Sequence, residues 1–186
     1  MIEFLKTVLG WLLARGGSER DEHELVTESH AEKLLRERVG MITEHFSYSE
    51  ATHSNTARAH GIDNVPSLEA MHNIIDAALG MEEVRELLGY PVNISSWFRS
   101  ERVNKLVGGS KTSDHMQGYS VDFTCPKFGS AYEVAQAILL SSIKFDQLIY
   151  ETNSKGSKWV HISFAPRGRN QALTYKSGTY SNGINK

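Results

Sequence analysis

The residues best placed by type and spacing to do chemistry together lie in Ser113-Asp-His115-Met-Gln-Gly118-Tyr-Ser-Val-Asp122, where a loop histidine precedes a turn glycine and a strand carboxylate follows seven residues later. An imidazole and a carboxylate offered from a loop and the next strand need one more donor to make a three-ligand metal site with a position left open for water. The third donor proposed is His161, in Trp159-Val-His161. A zinc ion held this way would polarise a carbonyl and activate water, so no nucleophilic side chain would be needed.

The elements that must present these groups follow from periodicity. Tyr119, Val121 and Phe123 alternate with Ser120, Asp122 and Thr124, which predicts a half-buried strand with Asp122 on the face opposite the aromatics. Gln147 to Thr152 and Lys158 to Phe164 are β-rich runs separated by Asn153-Ser-Lys-Gly-Ser157, a hairpin pattern. If Thr152 pairs with Lys158, then Ile149, Glu151, Trp159 and His161 share one face. Helices are expected from Ser67 to about Leu79, again from Glu82 to Leu88, from Ser100 to Leu106, and after Ser130, where Glu133 completes a capping box. The fold class expected is α+β, with a small central antiparallel sheet and helices packed on one side.

The chain has 186 residues, enough for one globular core with an appendage. Its net charge of -2 and the absence of long basic runs argue against a nucleic-acid partner. The single cysteine, Cys125, cannot close an intramolecular disulfide and reads as a small buried residue. Histidines 23, 30, 45, 53, 60 and 72 stand outside any ligand pattern and read as surface or hydrogen-bonded side chains.

Residues 1–40 are read as a helical appendage and 41–186 as the main domain. Met1 to Ala14 is apolar, with Ile2, Leu5, Leu9 and Leu12 at helical spacing, but falls short of the roughly 20 residues needed to span a membrane. Glu3 before Lys6 and the ending Arg15-Gly16-Gly17 are unlike a secretory signal. This segment is expected to contact a membrane, a partner protein or a second subunit, or to pack as a helix on its own domain, and residues 18–38 to form a charge-dense solvated helix or helix pair.

The motifs as a set resemble the zinc D-Ala-D-Ala carboxypeptidase-like peptidases, a family that includes D-Ala-D-Ala dipeptidases and phage-encoded L-alanyl-D-glutamate endopeptidases and is related to the hedgehog signalling domain. Its Ser-x-His-x-x-Gly-x-Ala-x-Asp motif aligns with Ser113, His115, Gly118 and Asp122. Its Trp-x-His ending aligns with Trp159 and His161, and its Ser-Gly-Tyr-Arg-Ser segment with Ser96 to Ser100. The resemblance spans about residues 42–165.

That resemblance implies a hedgehog-like zinc fold and one zinc ion on His115, Asp122 and His161. It also implies Arg99 as the cation for a substrate carboxylate or carbonyl oxygen, Ser113 as a nearby hydrogen-bonding group and Trp159 as a pocket wall. Three departures stand out. Ser120 replaces an alanine, Trp97 replaces a glycine and is expected to thicken the pocket wall, and Lys158 occupies the general-base position used by several branches. A lysine cannot serve there, so Glu151 is expected to be the base through the hairpin register above.

The function expected is a zinc metallopeptidase acting on a peptidoglycan stem peptide, as a carboxypeptidase or an endopeptidase. A phage or prophage enzyme would be cytoplasmic in the producing cell and would act at the wall after lysis or within a virion. The alternative is a non-catalytic zinc-binding structural or docking protein on the same fold.

Overall fold

The alternating run around Asp122 is one strand of a six-stranded sheet in the computed structural model, which describes residues 30–186. The strands are β1 (Asn93–Ser96), β2 (Ser120–Thr124), β3 (Gln147–Thr152), β4 (Lys158–Ser163), β5 (Gln171–Lys176) and β6 (Thr179–Asn182), in the spatial order β1-β2-β4-β3-β5-β6. The β3–β4 hairpin adopts the register read from the sequence, Thr152 opposite Lys158. Asn153 closes its loop by accepting from the backbone N–H groups of Lys155 and Ser157 through Oδ1.

The sheet is not wholly antiparallel, which corrects the expectation: β3 and β5 run parallel, and every other neighbouring pair is antiparallel. The reason lies in the connection after β4. Residues 164–170 carry the chain past the start of β3, so β5 begins beside Gln147 and runs antiparallel to β4 with β3 between them. Backbone hydrogen bonds from Asn170 to Phe145 and from Gln171 to Asp146 fix that crossing.

Among the described residues, five helices come after the helical segment at 30–37: α1 (Tyr48–Thr52), α2 (Asn55–Ala59), α3 (Leu68–Leu88), α4 (Glu101–Leu106) and α5 (Ala131–Leu139). The two helices expected between 67 and 88 are one continuous helix, α3, capped by the Ser67 hydroxyl and ended by left-handed Gly89. Gly80 does not break it. A Cβ there would lie 2.3 Å from the Phe164 ring, so the glycine marks close packing of an aromatic on the helix backbone. The Ser130–Glu133 capping box starts α5 as expected.

One sheet face carries Val121, Phe123, Leu148, Tyr150, Val160 and Ile162, buried in a common core with residues of α3 and α5 such as Met71, Ile74, Met81, Val134 and Ile138. Full burial of such a side chain contributes roughly 1.5–3 kcal/mol, and a one-residue register slip would turn the whole set to solvent. The other face is thereby committed to the polar residues. Helices on one side describes α3 and α5, but residues of α2 and α4 help wall the cavity over the polar face.

Residues 30–37 are helical, and Ala31 and Leu34 pack in the same core. The apolar stretch at 1–14 and most of the charge-dense segment at 18–38 lie outside the described residues. Among the described residues, no helix is long and apolar enough to cross a membrane.

Candidate metal centre and active site

Three elements deliver the three proposed ligands. Asp122 on β2 stands directly opposite His161 on β4, and His115 arrives from a single 3-10 turn, Asp114–Met116. Gly118 returns the chain from that turn into β2 with φ +90, and a Cβ there would lie 2.6 Å from the Ala70 carbonyl oxygen of α3. Glycine is required on both counts. Trp97, expected at the pocket wall, is instead fully buried: its indole N–H donates to the Gly118 carbonyl at 3.0 Å and its ring meets Phe46 edge-on. A large apolar ring with one polar tip gains more in the core, with its N–H satisfied, than against an open cavity.

The donor atoms converge. His115 Nε2 lies 3.2 Å from His161 Nδ1 and 3.2 Å from Asp122 Oδ1, and His161 Nδ1 lies 2.8 Å from the same oxygen. Ligands around a tetrahedral zinc at 2.0–2.1 Å sit about 3.3 Å apart, so the triangle fits one such ion. His115 donates from Nδ1 to the Trp97 carbonyl at 2.6 Å, which fixes the tautomer and leaves the Nε2 lone pair for a metal. The site residues therefore fit zinc in donor type, spacing and outer support.

The charge balance suits a metal at His115 and Asp122. Burial holds His115 below the usual histidine range, toward the neutral form a ligand must have. For Asp122 burial works against ionisation, but His115 and His161 outweigh it and hold the carboxyl well below its ordinary range. Burial also opposes a charge on His161, yet the hydrogen bond and charge of Asp122 raise it. Glu151 behaves in the opposite way: burial foremost, then the charge of Asp122, push its carboxyl up to about 7.

A cavity of about 720 Å³ gathers the proposed ligands His115, Asp122 and His161 with Arg99, Ser113, Glu151 and Trp159, but not Trp97. Glu151 reaches to 4.0 Å from His161 Nδ1. Arg99 does not point a free fork at the cavity; it donates from Nη2 to Asp122 Oδ2 at 2.7 Å and from Nε to the Ser96 hydroxyl at 2.9 Å. Lys158 is exposed and, as the neighbour of Trp159 in β4, faces away from the site. Two further carboxylates near the site, Asp114 and Asp146, are taken up in ion pairs. Arg167 bridges both, and Arg169 forks onto Asp146.

Sequence reasoning missed the cavity residues His53, Arg167, Arg169, Tyr175 and Tyr180. The two tyrosines had a readable signal, since Ser177-Gly178 is a turn dipeptide between two β-rich runs. The arginines had none, because their partner Asp146 becomes visible only in the folded chain. No curated protein matches the chain. Among protein families, Peptidase M15 matches residues 44–163, well over half of the chain and nearly the span over which the motifs align. With a His-Asp-His triangle in the matched region that fits a metal, the chain belongs to the Peptidase M15 family of zinc D-Ala-D-Ala carboxypeptidase-like peptidases.

Proposed function

We propose that the protein is a zinc metallopeptidase that hydrolyses a peptide bond in bacterial peptidoglycan, with His115, Asp122 and His161 as ligands and Glu151 as general base. The observation that carries the reading is the position of Glu151: same sheet face, 4.0 Å from a ligand nitrogen, in a shared cavity, with its carboxyl pushed up to about 7. A carboxyl poised near neutrality can both accept and return a proton under physiological conditions. When bound, zinc supplies Lewis acidity toward the scissile carbonyl and a source of nucleophilic water.

The chain's own groups divide the remaining work. Glu151 takes a proton from the attacking water and delivers it to the leaving amine. Arg99, anchored on Asp122 and Ser96, turns its remaining guanidinium edge to an oxygen that becomes anionic, and also meets a substrate carboxylate. Ser113 hydrogen-bonds nearby, and Trp159 forms the wall beside Glu151. A phage lysis or virion setting suits this activity, with the N-terminal segment ahead of residue 30 as the part that docks the domain.

The rival reading is a non-catalytic zinc protein, favoured by the one observation that Lys158 occupies the usual base position and faces away. Elemental analysis, digestion of purified sacculi and Glu151→Gln separate the two. The peptidase reading expects stoichiometric zinc, released amines, and a loss of about 10²–10⁴-fold in Glu151→Gln with zinc retained. Zinc without released amines across several wall types, or full activity in Glu151→Gln, would overturn it.

A further inference from the structure

Strands β5 and β6 lie beyond residues 44–163, the part matched to the family, yet they extend the wall of the same cavity. Their register continues a row that begins at the proposed catalytic centre. Trp159 stands opposite Glu151, Glu151 beside Tyr175, and Tyr175 opposite Tyr180. Residues paired laterally across strands project from one face, so the four form a transverse line over β4, β3, β5 and β6. Three inter-strand steps of roughly 4.8 Å make it about 14 Å long.

The rings are accessible. Tyr175 and Tyr180 meet at 4.7 Å with a 47° tilt, and Tyr180 is 58% exposed at the cavity's outer end. Asn182, two residues along β6 from Tyr180 and therefore on the same face, is also exposed. A cross-strand aromatic pair supports an edge hairpin on its own account. That role does not account for two tyrosines leading outward from the proposed general base, with Trp159 flanking its other side.

We infer that this row is a carbohydrate platform, which holds a sugar of the N-acetylated glycan strand while the attached peptide lies over the metal ligands. A pyranose ring turns weakly positive C–H bonds to one side, and aromatic faces carry negative charge. Tyrosine hydroxyls and the Asn182 amide suit ring hydroxyls and acetamido groups. The stem peptide fits the row less well, because its small methyl groups cover little ring surface. The inference rests on the reading of peptidoglycan as substrate, and it narrows that reading. A sugar beside Glu151 places the glycan within a residue or two of the reacting bond, which favours a glycan-proximal bond over the distal D-Ala-D-Ala end.

The first test is an NMR and fluorescence titration of the zinc-loaded full chain with a peptide-free N-acetylglucosamine tetrasaccharide. Wild type and Tyr180→Phe should bind, while Tyr180→Ala, and Tyr180→Thr as a strand-compatible second variant, should bind about tenfold more weakly. The second test compares kcat/KM on a muramyl-linked peptide with that on the same peptide without sugar. The ratio should fall about tenfold in Tyr180→Ala and Tyr180→Thr, and recover in Tyr180→Phe. No tetrasaccharide binding by wild type, or an unchanged ratio in the variants, would overturn the platform. If wild type cleaves neither substrate the peptidase reading fails, and the titration still decides the platform separately.

Discussion

Arg99 donates from Nη2 to Oδ2 of Asp122 at 2.7 Å, and this contact leaves Oδ1 of the same carboxylate facing both histidines. Its first consequence is for metal affinity. Arg99→Lys cannot hold Ser96 and Asp122 at once, because a single ammonium replaces a two-sided fork. Zinc affinity measured by chelator competition should fall about 10–100-fold in Arg99→Lys and Arg99→Ala. Unchanged affinity in Arg99→Ala would show that Asp122 is oriented without it.

Glu151 makes a prediction about the metal-free protein. Burial and the Asp122 charge raise its carboxyl to about 7, so the folded state holds a proton that the unfolded state releases near its ordinary value. Stability from this group is complete below the unfolded value, and it is lost as pH rises toward 7. Metal-free Glu151→Gln should therefore be more stable than wild type above pH 7 by on the order of 1–3 kcal/mol, with the gap closing at acid pH. Thermal melts of the chelated proteins across pH would check this.

Asp146 carries the opposite sign. It is fully buried, and although burial opposes its charge, Arg169 and Arg167 hold its carboxyl down at about 2. That stability is present above the ordinary carboxylate range and is lost as pH falls through the window down to about 2. Asp146→Asn should cost about 1–3 kcal/mol at neutral pH, less than for a fully buried pair because both arginines are half-exposed. The difference from wild type in denaturant titrations should vanish in strong acid.

Two of the three proposed ligands are histidines, which coordinate only when neutral. Zinc retention and activity should decline together as pH drops below about 6. Dialysis at stepped pH followed by elemental analysis measures the first. Full activity at about pH 4.5 with zinc retained would contradict the assignment.

The site was legible in the sequence because its residues obey local rules. The hairpin register at Thr152 and Lys158 places Glu151, Trp159 and His161 on one face, as observed, and alternation separates Asp122 from the aromatics of its strand; that β2 pairs with β4 and sets Asp122 beside His161 was not read. What was not legible depends on contacts between distant segments. Gly80 reads as a helix break until Phe164, far along the chain, is seen packed on it. Trp97 reads as a pocket residue until its indole finds the Gly118 carbonyl. The parallel placement of β5 depends on where residues 164–170 cross the sheet, which no local period encodes. Residues 30–37 reach the core through Ala31 and Leu34, with Leu35 packed against it, in a run whose other residues are polar or charged.

Trp97 grips the loop between His115 and Asp122 at two points, its carbonyl taking His115 Nδ1 and its indole reaching Gly118. The ligand cage is thus braced by the protein's interior and does not rely on an ion to draw it together. Small zinc domains are unfolded without their metal; here the ion would be a tenant and not a pillar. The chelated protein should keep its near-ultraviolet circular dichroism and still melt cooperatively. Adding zinc should then raise the melting temperature progressively with its concentration, as for any ligand that binds only the folded state.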